Sequence, residues 1–132
     1  MSLNPNAIIP ISGRTVTVLI MQFGFLLCVW GAAYFSLSAD AHFPFSGSDK
    51  INHVVGYAGM TWLAFLGWPR KRKLVALIAL SIGLLLELIQ IPHPTREFAF
   101  SDLAANLIGI IAATMIAWVV KSIWIRVFPV QF

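Results

Sequence analysis

Long apolar runs separated by short polar breaks organise this chain. Val16 to Leu37 carries no charge and is long enough to cross a bilayer as a helix. Asp49 to Trp68 begins polar and turns apolar from Val54 onward. Leu74 to Ile91 is apolar except for Glu87 and Gln90 near its end. Leu103 to Val120 is the last run, and Lys121 to Phe132 reads as interfacial. Connections this short make consecutive helices antiparallel neighbours. The pattern therefore predicts an all-α, four-transmembrane-helix bundle, with residues 1–132 as one integral membrane domain.

The first run competes with a cleaved signal peptide, because Ala39-Asp40-Ala41 fits a small-residue cleavage site. Signal cores are shorter, about 7–15 residues, and here only Arg14 precedes the run, so it is kept as a span.

Composition removes the soluble alternative. The 132 residues are 59% hydrophobic and 11% charged, against about 25% charged in a soluble domain, and the mean hydropathy is +0.86. The net charge of +4 does not point to nucleic acid, because the basic residues cluster where a membrane explains them. The single cysteine, Cys28, excludes an intrachain disulfide and any multi-cysteine metal site.

Charge also orients the bundle. Basic residues accumulate on the cytoplasmic side. Arg14, the Arg70-Lys71-Arg72-Lys73 linker, Lys121 and Arg126 fall on one face of a four-span bundle, leaving Lys50 and Arg96 on the other. Both termini are thus expected in the cytoplasm. The linker reads as a topology signal against anionic lipid, with Trp68 and Trp124 as interface anchors. All five acids, Asp40, Asp49, Glu87, Glu97 and Asp102, fall in the outer half.

Several polar residues of that half share one depth. Asp49, His53 and Tyr57 recur every four residues and form one helical stripe. Glu87 and Gln90 lie on the last turns of the third run. Arg96 follows in a loop where Pro92 and Pro94 stop the helix, and Asp102 and Asn106 open the fourth run. Each has a plainer reading. Asp102 and Asp49 suit helix caps, Gln90 and Asn106 suit interhelical hydrogen bonds, and Arg96 can pair with Glu97 or a phosphate head group. His53 and Tyr57 suit satisfied interior positions. Glu87 resists that treatment. It is flanked by Leu84, Leu85, Leu86, Leu88 and Ile89, where a carboxylate costs roughly a few kcal/mol to insert. It must face the bundle interior with a partner, and His53, Gln90 and Arg96 are the candidates. Gly56 and Gly59, and the Ala105/Gly109 pair, are read as close-packing positions between helices.

Asp49-Lys50-x-x-His53-x-x-x-Tyr57, Glu87-x-x-Gln90, Arg96 and Asp102-x-x-x-Asn106-x-x-Gly109 together resemble the VanZ-like family of small bacterial membrane proteins. The likeness runs from Asp49 to Gly109. Ala99 stands where the family usually has Ser, and Ala113 where a second Gly often lies. The resemblance implies a multi-pass protein of the bacterial inner membrane, from a family named for low-level resistance to a glycopeptide antibiotic. It implies no cofactor.

Three functions remain open. In the first, Asp49, His53, Tyr57, Glu87, Gln90, Arg96, Asp102 and Asn106 bind the head group of a lipid-linked envelope precursor or a glycopeptide. Arg96 then pairs with phosphate or carboxylate. In the second, Glu87 and His53 act as an acid/base pair on such a substrate, although no nucleophile motif accompanies them. In the third, the polar groups only fix the bundle, which docks on a larger membrane complex. His53, Glu87 and Asp102 could bind a divalent cation, but they lie on three helices and no complete metal signature joins them, so no metal is expected.

Overall fold

The computed structural model describes residues 12–38, 49–91 and 99–127. Among them are four helices and no strand: α1 (Gly13–Leu37), α2 (Asp49–Gly67), α3 (Arg72–Gln90) and α4 (Phe100–Val127). The all-helical expectation is met, and each helix lies on the apolar run that predicts it, with α2 and α3 ending one residue earlier than expected. Ser12 starts α1 in extended backbone and accepts a hydrogen bond from the Arg14 N–H at 3.2 Å, satisfying one of the free first-turn donors.

The largest departure in length is at α4. The helix extends past the apolar run that predicts it, through Lys121 to Val127. A lysine has good helix propensity and does not end a helix by itself. At the other end, Asp102 suits a cap by sequence, yet the helix has begun by Phe100. Asp102 sits inside the first turn, its N–H on the Ala99 carbonyl at 3.0 Å. Its charge still faces the positive end of the helix dipole.

Helix α1, helix α3 and Phe100–Ile123 of α4 are long and apolar enough to cross a membrane, which makes this a membrane protein. Helix α2 is not among them. Its position explains its composition. It is the central helix, packed most extensively on α4, then on α1, and also on α3. It buries Tyr57, Met60, Thr61, Ala64 and Phe65, and exposes few large apolar side chains, such as Ile51, Val55 and Leu66. Helix α1 is its opposite. It buries only Phe25 and exposes Leu19, Ile20, Phe23, Leu26, Leu27 and Trp30. Such a surface is tolerated only where the surrounding solvent is itself apolar.

Hydrogen bonds at the two ends fix an alternating arrangement of the helices. Early in α1, the Gln22 side chain donates from Nε2 to the Gly67 carbonyl at the end of α2, at 3.0 Å. At the far end, Gln90 of α3 donates from Nε2 to the Ser36 carbonyl late in α1, at 2.8 Å. Between these layers lies an apolar core that includes Phe25, Met60, Phe65, Val75, Ala79 and Ile110. Trp68 packs edge-on against Phe25, with ring centroids 5.5 Å apart. It thus contributes to the core as well as standing beside the basic linker.

One of the expected close-packing positions on α4 is real, and those on α2 are not. A Cβ at Gly109 would collide with the Val54 carbonyl oxygen and lie 3.0 Å from the Ala58 nitrogen, both backbone atoms of α2. Ala105, one turn earlier, is also buried. The α2–α4 contact is therefore made backbone to backbone, which only a small residue permits. Gly56 and Gly59 face outward, and a Cβ at either meets nothing within 4 Å.

Candidate functional site

Because α2 and α4 run in the same direction and touch at Gly109, the start of α2 lies beside the start of α4. His53, one turn into α2, meets Asn106 there. Its Nδ1 is 2.8 Å from the Asn106 Oδ1, and Asn106 is 1% exposed. An amide oxygen only accepts, so this bond puts the proton on Nδ1 and leaves Nε2 to face the other way. On that side stand two carboxylates. The Asp49 Oδ2 and the Asp102 Oδ2 each lie 3.9 Å from Nε2. Asp49 is mostly exposed, whereas His53 and Asp102 are largely covered. The Ser101 hydroxyl donates to the Asp102 Oδ1 at 3.3 Å.

Tyr57, one turn deeper, is buried. Its hydroxyl and the Asn106 Nδ2 both crowd the space above Gly83 of α3, where an added Cβ would lie 3.1 and 2.8 Å from them. Gly83 thereby lets α3 approach the polar stripe, a role that its place in an apolar run does not reveal. The stripe itself continues one step further than expected, to Thr61. That hydroxyl is fully buried and has no hydrogen-bond partner among the described residues. The four-residue spacing from Tyr57 could have signalled it.

Glu87 is 2% exposed and points into the bundle, as its cost in lipid requires. Its described partner is not the expected Gln90 or His53 side chain but the main chain: the Ala99 N–H donates to the Glu87 Oε2 at 3.4 Å. The bond ties the end of α3 to the entry of α4. Glu87 also lies in the electrostatic field of Asp102, His53 and Asp49, and Tyr57 lies in that of Glu87. Gln90 is buried but turned away from this group, since its amide is engaged by Ser36 of α1. Arg96, Glu97, Pro92, Pro94 and the 39–41 segment lie outside the described residues, as do the Trp124 and Arg126 side chains.

Of the eight residues singled out from the sequence, the structure brings six together at one end of the bundle: Asp49, His53, Tyr57, Glu87, Asp102 and Asn106. They form a group rich in acceptors, with a few donors fixed among them. Such a surface suits hydroxyls, amides or cations. Asp49, His53 and Asp102 each offer a ligand atom, all within 4.8 Å of one another. This set differs from the one considered from the sequence in having Asp49 in place of Glu87.

Comparison with known proteins adds no further constraint: no family model, curated protein or solved structure matches this chain.

Proposed function

We propose that this chain is a VanZ-like protein of the bacterial cytoplasmic membrane that binds the polar head group of a lipid-linked envelope precursor or a glycopeptide at its outer face. In this reading α2 is a fourth span, shielded from lipid by its neighbours, and both termini are cytoplasmic. The one-sided basic residues support that orientation. The motif series from Asp49 to Gly109 supports the family assignment, and nothing else does.

The single observation that carries the binding reading is the inward-facing polar group around His53. Two carboxylates stand 3.9 Å from its Nε2, an amide fixes its Nδ1, and Glu87 lies buried nearby. A bundle held only by apolar packing has no need of three acids at one end. Asp102, Asn106 and Tyr57 supply groups that read hydroxyls or amides, and Arg96 supplies the cation for a phosphate or carboxylate. Binding is preferred to turnover because no nucleophile motif joins Glu87 and His53, the acid/base candidates for an enzyme.

Native mass spectrometry of the protein extracted with its own lipids tests this, with wild type run beside Glu87→Gln and Arg96→Ala. A defined lipid or glycopeptide adduct held by wild type and lost in both variants supports the reading. Co-purification with a fixed set of membrane proteins and no adduct contradicts it, and makes the chain an accessory subunit of a larger complex.

A further inference from the structure

We infer that Asp49, His53 and Asp102 form a binding site for one divalent transition-metal cation of the Zn²⁺ or Mn²⁺ type. The inference stands on geometry and does not need the head-group reading. Zinc bonds to imidazole nitrogen and carboxylate oxygen are about 2.0–2.2 Å long, so two ligands of one ion lie about 3.3 Å apart at tetrahedral angles and about 4.2 Å at most. The His53 Nε2 is 3.9 Å from each carboxylate oxygen, within that range but too far for a direct hydrogen bond. All the ligand atoms fall within 4.8 Å of one another. The remaining gap closes by rotation of Asp49, whose exposed side chain is free to turn.

The surroundings of His53 give the independent argument. A metal-ligating histidine characteristically uses its second ring nitrogen to donate to an oxygen acceptor, which fixes the tautomer and aims the other nitrogen's lone pair. Asn106 does this here, accepting from Nδ1 at 2.8 Å while almost fully buried. Its own orientation is set by the crowded space above Gly83 that it shares with Tyr57. Nε2 then faces two carboxylates, and a cation seated among these three groups would balance their charge. One imidazole favours Zn²⁺ or Mn²⁺ over Mg²⁺. Three protein ligands leave positions open, the arrangement of sites that take a further oxygen ligand from water or a phosphate.

The test uses the full chain, purified in detergent, stripped with chelator and titrated with Zn²⁺ or Mn²⁺ alone. Lipid is omitted, so the outcome is separable from head-group binding. Wild type is expected to bind one equivalent. Asp102→Asn and His53→Gln should weaken binding at least 10-fold, and Asn106→Ala by about 10–100-fold. Lys121→Gln, at the far end, should leave it unchanged. Helicity by circular dichroism shows whether each variant is folded. Pulsed electron paramagnetic resonance of Mn²⁺-loaded wild type needs no variant and should show a directly coupled imidazole nitrogen. Sub-stoichiometric binding to wild type, affinity indifferent to His53→Gln and Asp102→Asn in folded protein, or a Mn²⁺ spectrum lacking nitrogen coupling would each overturn the site.

Discussion

The two ends of this bundle carry opposite charge, and they carry it in opposite ways. At the end where α2 meets α3, Arg70, Lys71 and Lys73 are exposed and contact no acid among the described residues. Arg72 leans over the Phe65 ring at 5.7 Å, a contact of modest energy, with its Nε buried and without a hydrogen-bond partner among the described residues. At the other end, His53, Glu87 and Asp102 turn inward, within reach of Asn106 and one another. Charges on a surface can label a side of the membrane without being arranged. Charges drawn into a bundle must be arranged, because each loses its solvent and needs partners. The basic end wears its charge on the surface, and the acidic end draws most of its charge inward.

The strongest way to break this contrast is to pull α2 from α4. Gly109→Ala sets a methyl group against the Val54 carbonyl, which cannot yield without moving α2. We expect a loss of about 1–3 kcal/mol, as for other overpacked contacts. Gly59→Ala, which meets nothing, should stay within about 0.5 kcal/mol. Thermal unfolding of both variants in one detergent decides, and equal midpoints would remove backbone contact as the reason the acidic end assembles.

Asn106→Leu comes next. It leaves the His53 Nδ1 without its acceptor in a covered place, a loss of about 1–3 kcal/mol. The same unfolding assay reads it, and an unchanged midpoint would mean that the amide does not hold the imidazole.

Gln90→Leu sharpens the comparison at smaller cost. Its amide serves α1 through the Ser36 carbonyl, and membrane hydrogen bonds of this kind average about 0.6 kcal/mol. Metal titration of this variant should match wild type. A large loss of metal affinity would return Gln90 to the cluster.

The smallest structural effect is expected from replacing Arg70, Lys71 and Lys73 together by Gln. The unfolding midpoint should not move, since these side chains are exposed. Reporter fusions at the termini should instead show part of the population inverted, because the one-sided basic bias is weakened. Destabilisation without any change in topology would show that the linker is structural after all.

How far the sequence alone reveals this arrangement depends on the kind of contact. The stripe through Asp49, His53 and Tyr57 is legible because an interval of four residues keeps one face of a helix. Glu87 is legible because a carboxylate among leucines has no other place to go. Gln90 is not, since its partner is a main-chain carbonyl of α1, and main-chain groups leave no mark in a sequence. Glycines show the same limit. Gly109 and Gly59 look alike as letters, yet one faces a backbone and the other faces outward. Burial is least legible at α2, because its less apolar composition does not show that it packs on the other three helices. The separation of ion-binding Asp49 from buried Glu87 needed distances.

The sidedness of the two ends bears on every function considered for the acidic one, and one labelling measurement settles it. With Cys28 replaced by Ser, a single cysteine is placed at Lys50 or at Lys73, both exposed positions at opposite ends. Intact bacterial cells making either variant are treated with a membrane-impermeant maleimide. The account predicts that Lys50→Cys is labelled in intact cells and Lys73→Cys only after lysis. Labelling of Lys73→Cys in intact cells, with Lys50→Cys protected, would turn the acidic end toward the cytoplasm and contradict an envelope head group as its ligand.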